Sequence, residues 1–97
     1  MPTYVNLYKF TEKGLQTIKE TTKRFEAAKK AAAQAGVTLK DAYWLQGKYD
    51  LVVISEAPDD IAATAFQLGV AKLGNIRGEM LRAFPPAEMD KILAKVS

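Results

Sequence analysis

Residues 45–54 read LQGKYDLVVI, and the fold turns on this stretch because it joins one predicted strand to the next. The run LVVI is aliphatic and mostly β-branched, a composition typical of strands. Gly47 and Lys48 lie between two such runs, and glycine at the first position of a two-residue loop favours a type II′ turn. We therefore predict a hairpin whose strands are residues 38–46 and 49–57.

The segments on either side of this hairpin predict two more strands and three helices. Residues 3–10, TYVNLYKF, alternate with a period of two and predict a strand. Residues 14–35 repeat apolar positions at helical spacing and end before Gly36, a typical residue after a helix. After the hairpin, a second helix starts near Pro58 and stops at Gly74, residues 75–84 form a fourth strand, and PPAEMDKILAKV forms a terminal helix.

This order of elements, β-α-β-β-α-β with an added C-terminal helix, predicts a ferredoxin-like α+β sandwich. The rules for crossover connections favour a four-stranded antiparallel sheet in the order 4-1-3-2, with the helices on one side. A chain of 97 residues has enough interior for one core. We predict a single domain over residues 1–97.

The composition excludes several kinds of chemistry. The chain has no cysteine and no histidine, which removes thiolate nucleophiles, imidazole bases and the commonest zinc ligands. No group of acidic residues has metal-binding spacing, so we expect neither a metal nor another cofactor. The N-terminus has no secretion signal, and no apolar run is long enough to span a bilayer. We expect a cytoplasmic protein.

A two-layer sandwich leaves one side of its sheet without helices, and we call this side the uncovered face. From the alternation, we predict that Val5, Leu7, Leu51, Val53, Ile76 and Met80 meet the helices. The residues predicted for the uncovered face are Asn6, Tyr8, Trp44, Asp50, Val52, Ile54, Glu56, Arg77, Glu79 and Leu81. Broad apolar patches mark association sites, so we expect a homodimer, or a higher homo-oligomer, with its sheets packed together. The interface would include Tyr8, Trp44, Val52, Ile54 and Leu81.

The segment YWLQGKYDLVVISEAPDD resembles the GYD-domain family of small bacterial proteins, in which Gly47, Tyr49 and Asp50 match the residues that name the family. The segment LGNIRGEMLRAF carries a second part of the likeness, which runs over nearly the whole chain. The resemblance implies a dimeric α+β barrel. It implies no particular activity, because the family has no settled one.

Three functions stay open from the residues. The first is binding of a small molecule in a cleft by the sheet, with candidate ligand-binding residues Asn6, Tyr8, Trp44, Asp50, Arg77 and Glu79. The second is a cofactor-independent enzyme acting on a small polar or aromatic substrate, with Asp50 or Glu79 as general base and Arg77 as anion clamp. The third is an RNA-binding domain, which shares this element order.

Structural interpretations are favoured over catalysis and over RNA binding. Tyr49 and Asp50 are neighbours in a strand, so their side chains point to opposite faces. We expect Tyr49 to pack under a helix and Asp50 to bond to the backbone or to Arg77. Against RNA, the predicted uncovered face carries carboxylates that repel phosphate. The favoured reading is therefore a homo-oligomeric binding protein without enzymatic activity.

Overall fold

The structure, a computed structural model, describes residues 1–97 throughout. The strands are β1 (Thr3–Phe10), β2 (Thr38–Trp44), β3 (Leu51–Glu56) and β4 (Ile76–Ala83), and the helices are α1 (Glu12–Gln16), α2 (Thr21–Gln34), α3 (Asp60–Ala71) and α4 (Pro86–Leu93).

The four strands form one antiparallel sheet in the order β2-β3-β1-β4, which is 4-1-3-2 when counted from the β4 edge. The helices α2 and α3 lie on one side of the sheet, with α2 over β2 and α3 over β4. The fold is therefore the predicted mixture of a four-stranded sheet with helices on one side.

The first helical region differs from the prediction of one helix over residues 14–35. It divides into α1, a 3₁₀ turn at Ile18–Glu20, and α2. The hydroxyl of Thr11 caps α1 by accepting a hydrogen bond from the Gly14 amide at 3.1 Å. The break comes at Thr17, next to the β-branched Ile18, because such side chains lose freedom in a helix.

The hairpin loop is longer than the predicted two residues. The strands end at Trp44 and resume at Leu51, and the loop is closed by the Leu45 amide, which donates to the Asp50 carbonyl at 2.8 Å. Gly47 has φ 108°, a conformation that favours glycine. Asp50 also bonds to β1, since its amide donates to the carbonyl of Tyr8 at 2.8 Å.

The face assignment of β1 was wrong. Directly opposed residues of antiparallel strands share a face, and Asn6 lies opposite Val53 while Tyr8 lies opposite Leu51. Asn6 and Tyr8 are consequently buried on the helical side. The two β1 residues predicted to meet the helices, Val5 and Leu7, lie on the uncovered face instead.

Trp44 also lies on the helical side, because it is paired with Leu51 across the β2–β3 ladder. The other assignments agree with the register. Leu51 and Val53 belong to the buried core, with Ile76 and Met80 packed against it. The residues that do lie on the uncovered face, by the same register, are Val52, Ile54, Glu56, Arg77, Glu79 and Leu81.

The helical layer is spread apart. Helices α2 and α3 make no extensive contact with each other. Helix α4 makes none with any other element. The chain measures 51 × 31 × 18 Å along its principal axes, so it is elongated. No helix has both the length and the apolar character that crossing a membrane requires. The separation of α2 from α3 opens the space described next.

Candidate functional site

A cavity of about 660 Å³ lies between α2, α3 and the sheet. Its volume is within the range of about 300–1,000 Å³ that small-molecule sites occupy. The central strands provide the floor, with Asn6 and Tyr8 from β1 and Leu51 and Val53 from β3. The walls are mostly apolar, and the residues of α2 and α3 that contribute to them are Thr21, Arg24, Phe25, Ala27, Ala28, Ala31, Ala62, Ala65, Phe66, Gly69 and Val70.

Small side chains create the cavity. The α2 wall carries Ala27, Ala28 and Ala31, which favour the helix strongly but fill little volume. On α3 the wall includes Gly69, and a Cβ added there would meet no atom within 4 Å. Larger residues at these positions would fill the space between the helices and the sheet, so the alanine-rich sequence of α2 leaves this space unfilled.

Tyr8 is one of two buried polar residues on the floor of the cavity, with Asn6. Its hydroxyl donates to Oε1 of Gln67 in α3 at 2.6 Å, which ties the floor to one wall. Burial raises the pKa of Tyr8 to about 12. The phenol therefore keeps its proton at neutral pH, and it is a hydrogen-bonding group instead of a base.

Asn6 is 5% exposed and also lines the cavity. Its side-chain nitrogen donates to the Val53 carbonyl and to the Ser55 hydroxyl, both at 3.1 Å. This pattern fixes the orientation of the amide, because a carbonyl oxygen can only accept.

Arg24 is the one charged residue of the lining. Its guanidinium donates to the carbonyl and hydroxyl oxygens of Thr17, at 3.0 and 2.8 Å, and to the Gly14 carbonyl at 3.3 Å. These bonds hold α2 against the end of α1. The cation therefore has a structural role, and every other residue of the lining is uncharged.

Trp44 lies beside the cavity without lining it. Its ring meets Phe25 edge-on, with centroids 6.0 Å apart, and its indole nitrogen donates to the Thr21 hydroxyl at 3.1 Å. Phe25 and Thr21 both line the cavity. Trp44 is the only tryptophan of the chain, so its fluorescence reports on this region.

The six residues predicted to bind a ligand are not brought together. Asn6 and Tyr8 line the cavity and Trp44 lies next to it, whereas Asp50, Arg77 and Glu79 are absent from its lining. Asp50 accepts a hydrogen bond from the Phe10 amide at 2.9 Å, which confirms its predicted structural role. The fold therefore does not place a carboxylate and Arg77 in one cleft with Tyr8.

Tyr49 differs from the prediction as well. It lies in the hairpin loop, half-buried, and it does not join the core on the helical side. The ammonium groups of Lys9 and Lys48 lie 5.8 and 5.6 Å from the centroid of its ring, at the range of cation–π contacts.

A second candidate surface is the uncovered face. Val5, Leu7, Val52 and Ile54 form its centre and are half-buried, and Leu81 next to them is exposed. The predicted interface residues Val52, Ile54 and Leu81 lie here. Tyr8 and Trp44 do not, since they lie on the other side of the sheet.

The family model of the GYD domain matches residues 4–93 of the chain. The chain belongs to the GYD-domain family. Among the relatives of this GYD-domain protein is one from Thermus thermophilus, named "Glutamine synthetase and cystathionine beta-lyase binding protein". The two are 29% identical over 90 residues, which cover 92% of this chain and 95% of the relative.

The fold of this GYD-domain protein is also similar to a crystal structure of the Thermus thermophilus protein TTHA0845. The TM-score is 0.56 at 24% identity, and the match covers 88% of this chain and 95% of the other. At that identity the likeness shows the fold alone.

Several cavity residues of this GYD-domain protein were not predicted from the sequence. Phe25 and Phe66 line the cavity and belong to amphipathic helices, where apolar residues signal core packing more often than a ligand site. Gln67 does not line the cavity but accepts the hydrogen bond of Tyr8. The available signal was the run of alanines in α2, whose side chains are too small to fill the space beneath a helix. Gln67 could have been found from its spacing to Asp60, which matches the spacing of Tyr4 and Tyr8, their partners on β1.

Proposed function

We propose that this GYD-domain protein is a cytoplasmic homodimer that binds a small, uncharged and mainly apolar molecule in the cavity between α2, α3 and the sheet. The cavity carries this proposal. It has the volume of a ligand site, and apolar side chains dominate its lining. Its one cation, Arg24, donates three of its five N–H groups to backbone and hydroxyl oxygens, so the charge is held at the end of α2 and the rest of the lining is uncharged.

Binding is a better interpretation than catalysis because the cavity lacks an acid or base suited to neutral pH. Efficient general acid–base catalysis needs a group with a pKa near the operating pH. Tyr8, with its pKa raised to about 12, keeps its proton at neutral pH. Asp50 and Glu79, the candidate bases, do not line the cavity.

The proposal can be tested with N-phenyl-1-naphthylamine, a neutral probe whose emission rises in apolar surroundings. Gly69 offers a matched pair of variants. Both Gly69→Ala and Gly69→Phe remove a helical glycine, but only phenylalanine adds a ring that takes up space within the cavity. The wild-type protein and Gly69→Ala should bind the probe equally, and Gly69→Phe should bind it at least about tenfold more weakly. Equal binding by all three, or none by the wild type, would refute the proposed site.

Homodimerisation is supported by the uncovered face. The aliphatic residues Val5, Leu7, Val52 and Ile54 adjoin one another across the two central strands, and burying them contributes roughly 25 cal/mol per Å² of apolar area. A second copy offers the same surface by twofold symmetry. Tyr8 and Trp44 lie on the other side of the sheet, so the RNA-binding alternative loses two of the aromatic rings predicted to stack bases, although Tyr43, opposite Val52, does lie on the uncovered face.

A second candidate function is binding of an enzyme. It is favoured by the name of the Thermus relative, which describes that protein as binding two enzymes. The uncovered face or the exposed apolar residues of α4 would then contact the partner. Sedimentation velocity of this protein mixed with purified glutamine synthetase tests it. A faster-sedimenting complex supports the candidate, and two independent boundaries remove it.

A further inference from the structure

The side-chain oxygen of Asn6 has no partner within the chain. Both hydrogen bonds of this side chain are made by its nitrogen, to Val53 and Ser55 of β3. Oδ1 accepts no hydrogen bond, although Asn6 is only 5% exposed. Covering an amide oxygen without giving it a hydrogen-bond donor costs about 1–3 kcal/mol, so a group that covers Oδ1 should supply a donor.

This oxygen borders open space. Every fully buried side-chain nitrogen or oxygen of the protein has a hydrogen-bond partner. Because Oδ1 has no partner, it must keep some accessible surface. The nitrogen end of the amide is turned to β3, and Asn6 lines the cavity between the helices and the sheet. The cavity is therefore the space that Oδ1 meets.

The surroundings of Oδ1 restrict what can bind to it. Its neighbours on the floor are Leu51 and Val53, and Tyr8 already donates its proton to Gln67. On the floor of the cavity, Oδ1 is thus an acceptor with no free donor beside it. The unused donors of the lining, on Thr21, Arg24 and Asn75, lie elsewhere around the cavity. A ligand that matches this arrangement brings the donor itself.

We propose that the cavity recognises a neutral, mainly apolar molecule that carries a hydroxyl or N–H group, and that Oδ1 of Asn6 accepts the hydrogen bond from that group. This inference rests on the proposed ligand-binding function and names the chemical class of the ligand. Apolar walls set the affinity, and the Asn6 oxygen sets the preference for a donor. Cavities of this kind are typical small-molecule sites, with a few polar groups that orient the ligand.

The test compares 2-naphthol with 2-methoxynaphthalene, which share a ring system but differ in the donor. Isothermal titration calorimetry should show that the wild-type protein binds 2-naphthol about fivefold to tenfold more tightly, after correction for partitioning of each compound into octanol. Asn6→Val should remove that preference. Ser55→Ala, which deletes a partner of the Asn6 nitrogen and leaves Oδ1 unchanged, should retain it.

The outcomes separate the two proposals. If neither compound binds to the wild-type protein, the cavity is not a ligand site and both proposals fail. If both compounds bind equally, the site stands and the role of Asn6 is refuted, as it is if Ser55→Ala loses the preference as fully as Asn6→Val. Because Asn6→Val also loses the bond to Val53, it could fail to fold, and the wild-type comparison of the two compounds then decides alone.

Discussion

The hydroxyl of Tyr8 in β1 donates a hydrogen bond to Oε1 of Gln67 in α3 at 2.6 Å. The same strand and helix are joined a second time, where Tyr4 donates to Asp60. Four positions separate the tyrosines, about 13 Å along a strand. Seven positions separate their acceptors, about 10 Å along a helix. The two spacings match, so one pair of elements is held together at both ends.

Removal of the Tyr8 hydroxyl should destabilise the protein modestly. Tyr8→Phe deletes the bond to Gln67 and leaves Oε1 without its donor, which should lower the free energy of unfolding by about 0.5–1.5 kcal/mol at pH 7. Urea unfolding measures this. In the Gln67→Leu background the same substitution should cost less, because the partner is already gone. An equal cost in both backgrounds would show that the two side chains are not coupled.

The raised pKa of Tyr8 makes stability dependent on pH in the alkaline range. Between pH 10 and 12 the unfolded chain releases the phenolic proton, whereas the folded chain retains it, so the free energy of unfolding falls as pH rises. The loss from Tyr8 should reach roughly 2–3 kcal/mol by pH 12. Urea unfolding at pH 8, 10 and 11.5 should show a smaller decline in Tyr8→Phe. Part of the decline should persist, since hydrogen bonding to Asp60 and burial raise the pKa of Tyr4 as well.

Two glycines should respond in opposite directions to alanine. A Cβ at Gly78 would lie 1.8 Å from the carbonyl oxygen of Leu7 on the neighbouring strand, so Gly78→Ala forces β1 and β4 apart. We expect Gly78→Ala to lower the free energy of unfolding by at least about 2 kcal/mol. At Gly69, in a helix, the added Cβ meets open space, so Gly69→Ala should raise the free energy of unfolding by about 0.5–1 kcal/mol. Thermal unfolding of both variants gives the two signs, and a stable Gly78→Ala would contradict the β1–β4 register.

Charge placed on the uncovered face should disrupt the dimer. Ile54 is half-buried among Val5 and Asp41 on neighbouring strands, and Ile54→Lys should shift the protein toward monomer or insolubility. Ile61→Lys is the matched control, because Ile61 is 81% exposed on α3. Light scattering at micromolar concentration reports the mass. A wild-type monomer, or an Ile54→Lys protein unchanged in elution volume and melting temperature, would count against sheet-to-sheet packing.

The order of elements was predictable because each has a strong local signal. The period-two alternation of β1, the glycines after α2 and α3, and the proline pair before α4 each mark a boundary, and Gly36 and Gly74 indeed have φ 80°. The loop at Gly47 was predicted too short. Its length depends on bonds between Asp50 and β1, and long-range bonds of that kind leave no local pattern.

The faces of β1 were not predictable from hydrophobicity alone. Both sides of TYVNLYKF have apolar character, and the aliphatic side, Val5 and Leu7, was placed inward on that basis. Two tyrosines and an asparagine occupy the interior because α3 and β3 supply partners for their polar atoms. The spacing of Tyr4 and Tyr8 against Asp60 and Gln67 is a pattern in the sequence that favours this side. The separation of α2 from α3, and so the cavity, follows from packing that no single segment encodes.

The most direct test of the central claim is the electron density of a crystal grown with N-phenyl-1-naphthylamine. We predict that the probe lies between α2 and α3, in contact with Phe25, Phe66 and the floor of the sheet, while the Tyr8–Gln67 hydrogen bond persists. Density for the probe only outside this space, or helices that have closed onto the sheet and filled it, would contradict the proposed ligand site.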